Sequence, residues 1–389
     1  MTKPIPYGRQ DINETDIQAV VNVLRSDFLT QGPAVPAFEG AVCEFVGAQY
    51  SIATSNATAA LHLACLALEV GSGDIVWTSA ITFVASANCA LYCGAKVDFV
   101  DIELDSFNMS EQALRRKLEQ ARITGLLPKV LIPVHMGGQS CNMATFYELS
   151  KEYGFAIIED ASHAIGGGYK NKKIGSCQYS DITVFSFHPV KIITTGEGGM
   201  AVTNNTDLAK RMQLLRSHGI TRDESEMTNI PDGPWYYEQI DLGFNYRMTD
   251  LQAALGLSQM SRLHDFVVRR NAIAHRYDQL LKGVPVLSPM ISEDAYSAYH
   301  LYVIQLNLDK IASSHIDIFN GLRSAGIGVN LHYIPVYLQP YYQSLGFSKG
   351  YCPNAEKYYS RAISLPMYSG FTDEEQDWVV MQLNKVIQK

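Results

Sequence analysis

Phe185-Ser186-Phe187-His188-Pro189-Val190-Lys191-Ile192-Ile193-Thr194-Thr195-Gly196-Glu197-Gly198-Gly199 begins as a strand and ends as a turn. Ile182 to Phe187 is an apolar, β-rich run. Pro189 biases His188 away from helix, so the chain leaves the strand there and carries Lys191 on a loop. Gly196, Gly198 and Gly199 let that loop turn tightly into a further strand from Met200. Upstream, Phe155-Ala156-Ile157-Ile158-Glu159 reads as a buried parallel strand closed by Asp160. A carboxylate at one strand end and a lysine past the next strand suit pyridoxal 5'-phosphate. The lysine holds that cofactor as a Schiff base, and the carboxylate keeps the pyridine nitrogen protonated. Taken singly, each residue fits better as a surface lysine or strand-end aspartate of any α/β enzyme. The surrounding segments reverse that balance.

Outward from this stretch, strand-like and helix-like segments alternate. Strands are expected at Tyr50–Thr54, Asp74–Thr78, Lys96–Ile102, Lys129–His135, Phe155–Asp160, Ile182–Phe187 and Met200–Thr203. Helical patterns occupy Ala57–Val70, Phe83–Tyr92, Glu111–Gln120 and Ala144–Tyr153. The alternation predicts an α/β fold, a mostly parallel sheet with helices on both faces. Tyr169–Gly175 reads as a small hairpin. Asp250–Leu281 has helical apolar spacing throughout and suits a connecting helix. A strand at Tyr302–Leu306, a helix at Ile316–Ala325, a strand at Val329–His332 and a helix at Asp373–Ile387 follow. They predict a smaller α+β domain over 251–389 after a large one over 1–250.

The composition narrows the class. The 389 residues are 47% hydrophobic and 18% charged, an ordinary globular balance. A net charge of −8 argues against a general nucleic-acid binder while leaving room for a local anion pocket. Apolar runs stay short of the roughly 20 residues a membrane span needs. The amino-terminal residues show no signal-peptide pattern. Seven cysteines, an odd number, suggest reduced thiols and a cytoplasmic enzyme. Cys89 and Cys93 lack a second Cys/His pair at ligand spacing, so they read as packing residues and no metal is expected.

Ser55-Asn56-Ala57-Thr58-Ala59-Ala60-Leu61 joins a strand to a helix. Backbone N–H groups there and the Thr58 hydroxyl can face a phosphate, although an ordinary cap by Ser55 or Thr58 reads equally well. Ser186 offers a further hydroxyl. Walker-type and GxGxxG phosphate motifs are absent. Phe83, at the start of its helix, can lie on a pyridine ring or pack in the core. His163 follows Asp160 by one short turn and can contact the ring. His188, His332 and Tyr333 are candidate substrate contacts near strand or loop ends. His62, His264 and His275 read as helix-surface or core residues.

Taken together, these blocks resemble the DegT/DnrJ/EryC1/StrS sugar-nucleotide aminotransferases. The resemblance runs from Leu29-Thr30-Gln31-Gly32 to Ile363-Ser364-Leu365-Pro366. Its specific parts are Asn56–Leu61, Glu159–Gly166, Ser186-Phe187-His188 with Lys191, Gly196–Gly199, and Gly243-Phe244-Asn245-Tyr246-Arg247. It implies a type I pyridoxal phosphate fold, with Lys191 bound to the cofactor and Asp160 paired with the pyridine nitrogen. It implies that Ala57, Thr58 and Ser186 hold the phosphate, that Phe83 stacks on the ring and that His163 lies beside it. Asn245 would reach the neighbouring subunit's phosphate, which implies a homodimer with shared sites. Asn56-Ala57 departs from the Ser-Gly or Asn-Gly common in the family.

Within the group, the likeness is strongest to members acting in pseudaminic acid synthesis. Those aminate a UDP-linked 4-keto-6-deoxy-N-acetyl-hexose with glutamate as donor. The residues that carry it include Arg216-Ser217-His218-Gly219 and His332-Tyr333-Ile334-Pro335-Val336-Tyr337. Amination of a GDP- or dTDP-linked ketosugar is the alternative. Sugar dehydratases of the same family carry histidine in place of the lysine, which Lys191 argues against. Non-catalytic members lose the lysine or aspartate or gain a DNA-binding domain, and this sequence shows neither change.

Overall fold

The computed structural model describes residues 4–388. A seven-stranded sheet forms its centre, in the order Tyr50–Thr54, Gly199–Thr203, Ile182–Ser186, Ala156–Asp160, Val130–Ile132, Ile75–Ser79 and Lys96–Val100. Gly199–Thr203 runs antiparallel to both its neighbours, and the other pairings are parallel. The loop after Ser186 returns directly to the sheet without a crossover helix, so the strand that follows must run backwards. The remaining strands share one direction and bring their carboxyl ends to a common edge, where ligands bind in open α/β sheets.

Helices Ala57–Ala67, Ala85–Tyr92, Glu111–Thr124 and Met143–Tyr153 cover the sheet. Two further helices, Glu14–Leu24 and Ala34–Val46, lie in the amino-terminal region. The first opens with a reciprocal Asn13–Asp16 capping box. The second buries Val35, Phe38, Val42 and Val46 at helical spacing. The Tyr169–Gly175 hairpin forms by pairing of Gly168–Tyr169 with Lys172–Lys173, and Ala295–Tyr296 adds a third strand to it.

Two expectations are corrected. The Asp250–Leu281 pattern is two helices, Asp250–Met260 and Leu263–Leu280. Arg262 leaves helical geometry between them, and its guanidinium pairs with Asp11 at 2.9 Å and buried Asp16 at 2.5 Å. Those ion pairs fix the break. Val329–His332 is not a strand and makes a single bridge, Asn330 to Ser364. The Asn330 side chain takes the Leu331 N–H at 2.9 Å, diverting a donor the ladder would need.

A second core surrounds an antiparallel sheet of Val286–Leu287, Tyr302–Leu306 and Ala362–Leu365. Ile273, Ile304, Ile318, Val379 and Leu383 bring helices Leu263–Leu280, His315–Ser324 and Asp373–Ile387 against it. The chain start joins this core, where Ile5 bridges Ile327. A cleft of about 1030 Å³ separates it from the carboxyl edge of the large sheet.

Candidate active site

Asp160 ends its strand at the base of the cleft, 4% exposed. One carboxylate oxygen accepts from the Ser86 hydroxyl at 2.6 Å, and the other accepts from Ser162 Oγ at 2.5 Å and N at 3.1 Å. These bonds fix the orientation of the carboxylate in the cleft. Glu159 faces the opposite side of the sheet by strand alternation. There it is held by His135 at 2.7 Å and Ser180 at 2.5 Å, which locks the strand.

Lys191 enters the cleft from the loop after Ser186. That loop is closed by its own backbone: Phe187 donates to Gly198 at 2.9 Å and Thr195 donates to Phe187 at 3.0 Å. Burial pulls the Lys191 ammonium down to about 8, with the Asp160 carboxylate acting against the shift. Nζ lies 3.5 Å from His300 Nε2. A lysine with an appreciable neutral fraction near neutral pH is a ready nucleophile.

The helix start at Ala57 forms the third side. Its cap is Asn56, not Ser55 or Thr58, and the Asn56 carbonyl oxygen of the side chain accepts from Ala59 N at 2.9 Å. Ala57 and Thr58 keep N–H groups without a backbone acceptor and line the cleft. Gly199 passes directly beneath. A Cβ there would stand 2.5 Å from Ala57 N, so only glycine lets the strand support this turn. The donors, the helix dipole and buried Ser186 make an anion cradle close to Lys191 and Asp160.

Phe83 precedes its helix instead of starting it, and it is 58% exposed toward the cleft. His163 accepts from Gly137 N at 3.3 Å through Nδ1, and its Nε2 meets the Tyr333 hydroxyl at 3.1 Å. Burial, reinforced by the Lys191 charge, holds His163 well below the ordinary histidine range. His332 binds Ser364 Oγ at 2.8 Å, and burial with the Lys191 charge pushes it down to about 3. His188 sits exposed at the rim. Asn245 is exposed and does not line this chain's cleft, whereas the next residue, Tyr246, does.

Sequence reasoning missed Ser86, Tyr246 and His300, while His62, read as a helix-surface or core residue, is indeed buried on its helix. His62 lines the cleft and binds the Tyr246 hydroxyl at 3.2 Å. The spacing of Ser86 within an apolar helix gave no sign that it faces Asp160. Among the described residues, no group of three or more His, Cys, Asp or Glu is placed to hold a metal ion. No helix among them is long and apolar enough to cross a membrane.

The groups fit pyridoxal phosphate. A buried lysine, a hydrogen-bonded carboxylate and a donor-rich helix start converge on one cleft, and glycine keeps the cradle open. Residues 10–384 match the model of the DegT/DnrJ/EryC1/StrS aminotransferase family. The chain is 37% identical over 387 residues to the Campylobacter jejuni UDP-4-amino-4,6-dideoxy-N-acetyl-beta-L-altrosamine transaminase, covering 99% of this chain and 98% of that protein. Helicobacter pylori PseC, an aminotransferase involved in the biosynthesis of pseudoaminic acid, superposes with a TM-score of 0.89 at 31% identity, covering 99% of both chains. The PLP-form of Spr1654, a putative sugar aminotransferase from Streptococcus pneumoniae, gives 0.87 at 31% identity over 98% of both chains. The chain thus belongs to the DegT/DnrJ/EryC1/StrS aminotransferase family and is a pyridoxal phosphate-dependent sugar aminotransferase with the type I fold.

Proposed function

We propose that the enzyme moves the amino group of glutamate to the 4-keto carbon of a UDP-linked 4-keto-6-deoxy-N-acetyl-hexose, in pseudaminic acid synthesis in the cytoplasm. The observation that carries this reading is the end-to-end likeness to the Campylobacter transaminase, joined to a cleft that holds both Lys191 and Asp160. When bound, the cofactor supplies a protonated ring that accepts the electron pair released at the substrate carbon. Lys191 Nζ holds the cofactor between turnovers, takes the α-proton of the donor and returns one to the amino sugar. Asp160 partners the ring nitrogen. Ala57, Thr58 and Ser186 hold the phosphate, Phe83 covers the ring, and His163 lies beside it. His188, His332 and Tyr333 face the sugar nucleotide.

Asn245 completes the phosphate site of a second copy in a homodimer. Tyr246 lines its own cleft, whereas its neighbour Asn245, which bridges Ser217, is exposed in the single chain. The same reading divides the chain into a large domain, 1–250, and a small one, 251–389. Chains carrying Asn245→Ala and Lys191→Ala, each defective alone, should regain up to half of wild-type activity per heterodimer. No recovery in a mixture shown to contain heterodimers would end the shared-site reading.

A panel of UDP-, GDP- and dTDP-linked ketosugars with glutamate tests the substrate. Release of 2-oxoglutarate with the product mass of an amino sugar is expected for the UDP-linked 4-keto compound. Preference for another nucleotide would overturn that assignment.

A further inference from the structure

We infer that His300 is a positioning residue for Lys191, its ring Nε2–H holding the free lysine amine in the neutral form and in place within the cleft. The inference rests on the reading of Lys191 as the cofactor lysine. His300 Nε2 stands 3.5 Å from Nζ and is the only side-chain hydrogen-bond partner of Lys191 among the described residues. The ring is fixed from two sides. His163 packs against it at 4.4 Å between centroids. Behind it, Arg270 Nη1 donates to the carbonyls of Tyr299 at 3.1 Å, His300 at 3.3 Å and Met367 at 3.2 Å. Arg270 is 1% exposed and has no carboxylate within ion-pair distance among the described residues, and all its hydrogen bonds there run from Nη1 to these three carbonyls.

The tautomer follows from the other ring nitrogen. His300 is 3% exposed, and its Nδ1 is enclosed with no hydrogen-bond partner among the described residues. An ammonium at Lys191 would donate to Nε2 and force the ring hydrogen onto Nδ1, where it would be stranded. A neutral amine instead accepts from Nε2–H and leaves only a lone pair enclosed. Orphaned buried N–H groups are rarer than under-satisfied acceptors, which favours the second arrangement. The groups around the amine agree. His163, His300 and His332 are kept neutral by burial and face Lys191, and Tyr333 is pushed up by burial. Asp160 alone favours the ammonium. The free amine must be neutral to take a proton from the donor.

The test uses enzyme loaded with pyridoxamine phosphate, in which Lys191 is free. Trace acylation by acetic anhydride, mapped by peptide mass across pH, reads how readily that amine loses its proton. In His300→Ala the profile should move to higher pH, with about a tenfold slower reaction at neutral pH, the loss of one hydrogen bond to the neutral form. His300→Gln, whose amide N–H replaces Nε2–H, should stay within about threefold of wild type. A His300→Ala profile that superimposes on wild type or moves to lower pH overturns the proposal, whatever the change in thermal unfolding. If the alanine variant fails to fold, ¹⁵N-labelled histidine in the wild type decides. An Nε2–H tautomer at His300 supports the proposal, and an Nδ1–H tautomer overturns it. Borohydride labelling of a lysine other than Lys191 would instead refute the underlying reading.

Discussion

The sheet wall of the cleft takes its groups from backbone landmarks. Asp160 ends a strand, Lys191 sits on the loop beyond the next strand, and Thr58 lies in the first turn of a helix. The opposite wall takes His300, Asn330, His332 and Tyr333 from irregular segments tied to the second core, through Arg270 and Ser364. On the first wall the main chain places the chemistry, and side-chain bonds such as Ser86 to Asp160 refine it. On the second wall side-chain bonds do the placing. The first therefore supplies charge and nucleophile, and the second supplies neutral, buried polar groups whose state depends on their neighbours.

The sharpest break of this contrast is at Asp160. Replacing it with asparagine keeps the shape and removes the charge, so the ring nitrogen loses its proton-holding partner. Turnover should fall by on the order of 10², about 2.7 kcal/mol, while cofactor still binds through the phosphate cradle. Steady-state kinetics with cofactor occupancy measured by absorbance checks it. Near-wild-type turnover would show that the sheet wall does not supply the charge.

A smaller effect separates the second wall. His332 in the folded protein is held at about 3, below the ordinary 6.5, by burial and the Lys191 charge. Between these values the unfolded chain binds a proton that the folded chain refuses. Its contribution to stability is therefore lost as pH falls through that window. Urea unfolding across that window should show a shallower decline for His332→Gln than for wild type. Equal slopes would mean that His332 is not held neutral.

The parts visible in the sequence are those the backbone places. Strand ends, the Pro189 exit and the Gly196–Gly199 turn each have a local signature, so Asp160 and Lys191 stood out. The central strands appear where expected because a parallel sheet buried on both faces requires continuous apolar runs. What stayed hidden depends on contacts distant in sequence. Ser86 looks like any small helix residue until Asp160 packs on it, and His300 gains meaning only beside Lys191. The break at Arg262 arises from ion pairs to Asp11 and Asp16, some 250 residues away, so periodicity carried straight across it. Val329–His332 has strand composition, and the Asn330 side chain captures the Leu331 N–H that pairing needs.

Lys191 is the central claim, and borohydride reduction of the cofactor-loaded enzyme followed by peptide mapping tests it most directly. The account predicts that the reduced cofactor is fixed to the peptide containing Lys191. It also predicts that Lys191→Ala loses both the label and turnover, the latter by on the order of 10³ or more, as expected when a proton-transferring group is removed. Label on any other lysine, or turnover surviving in Lys191→Ala, would contradict it.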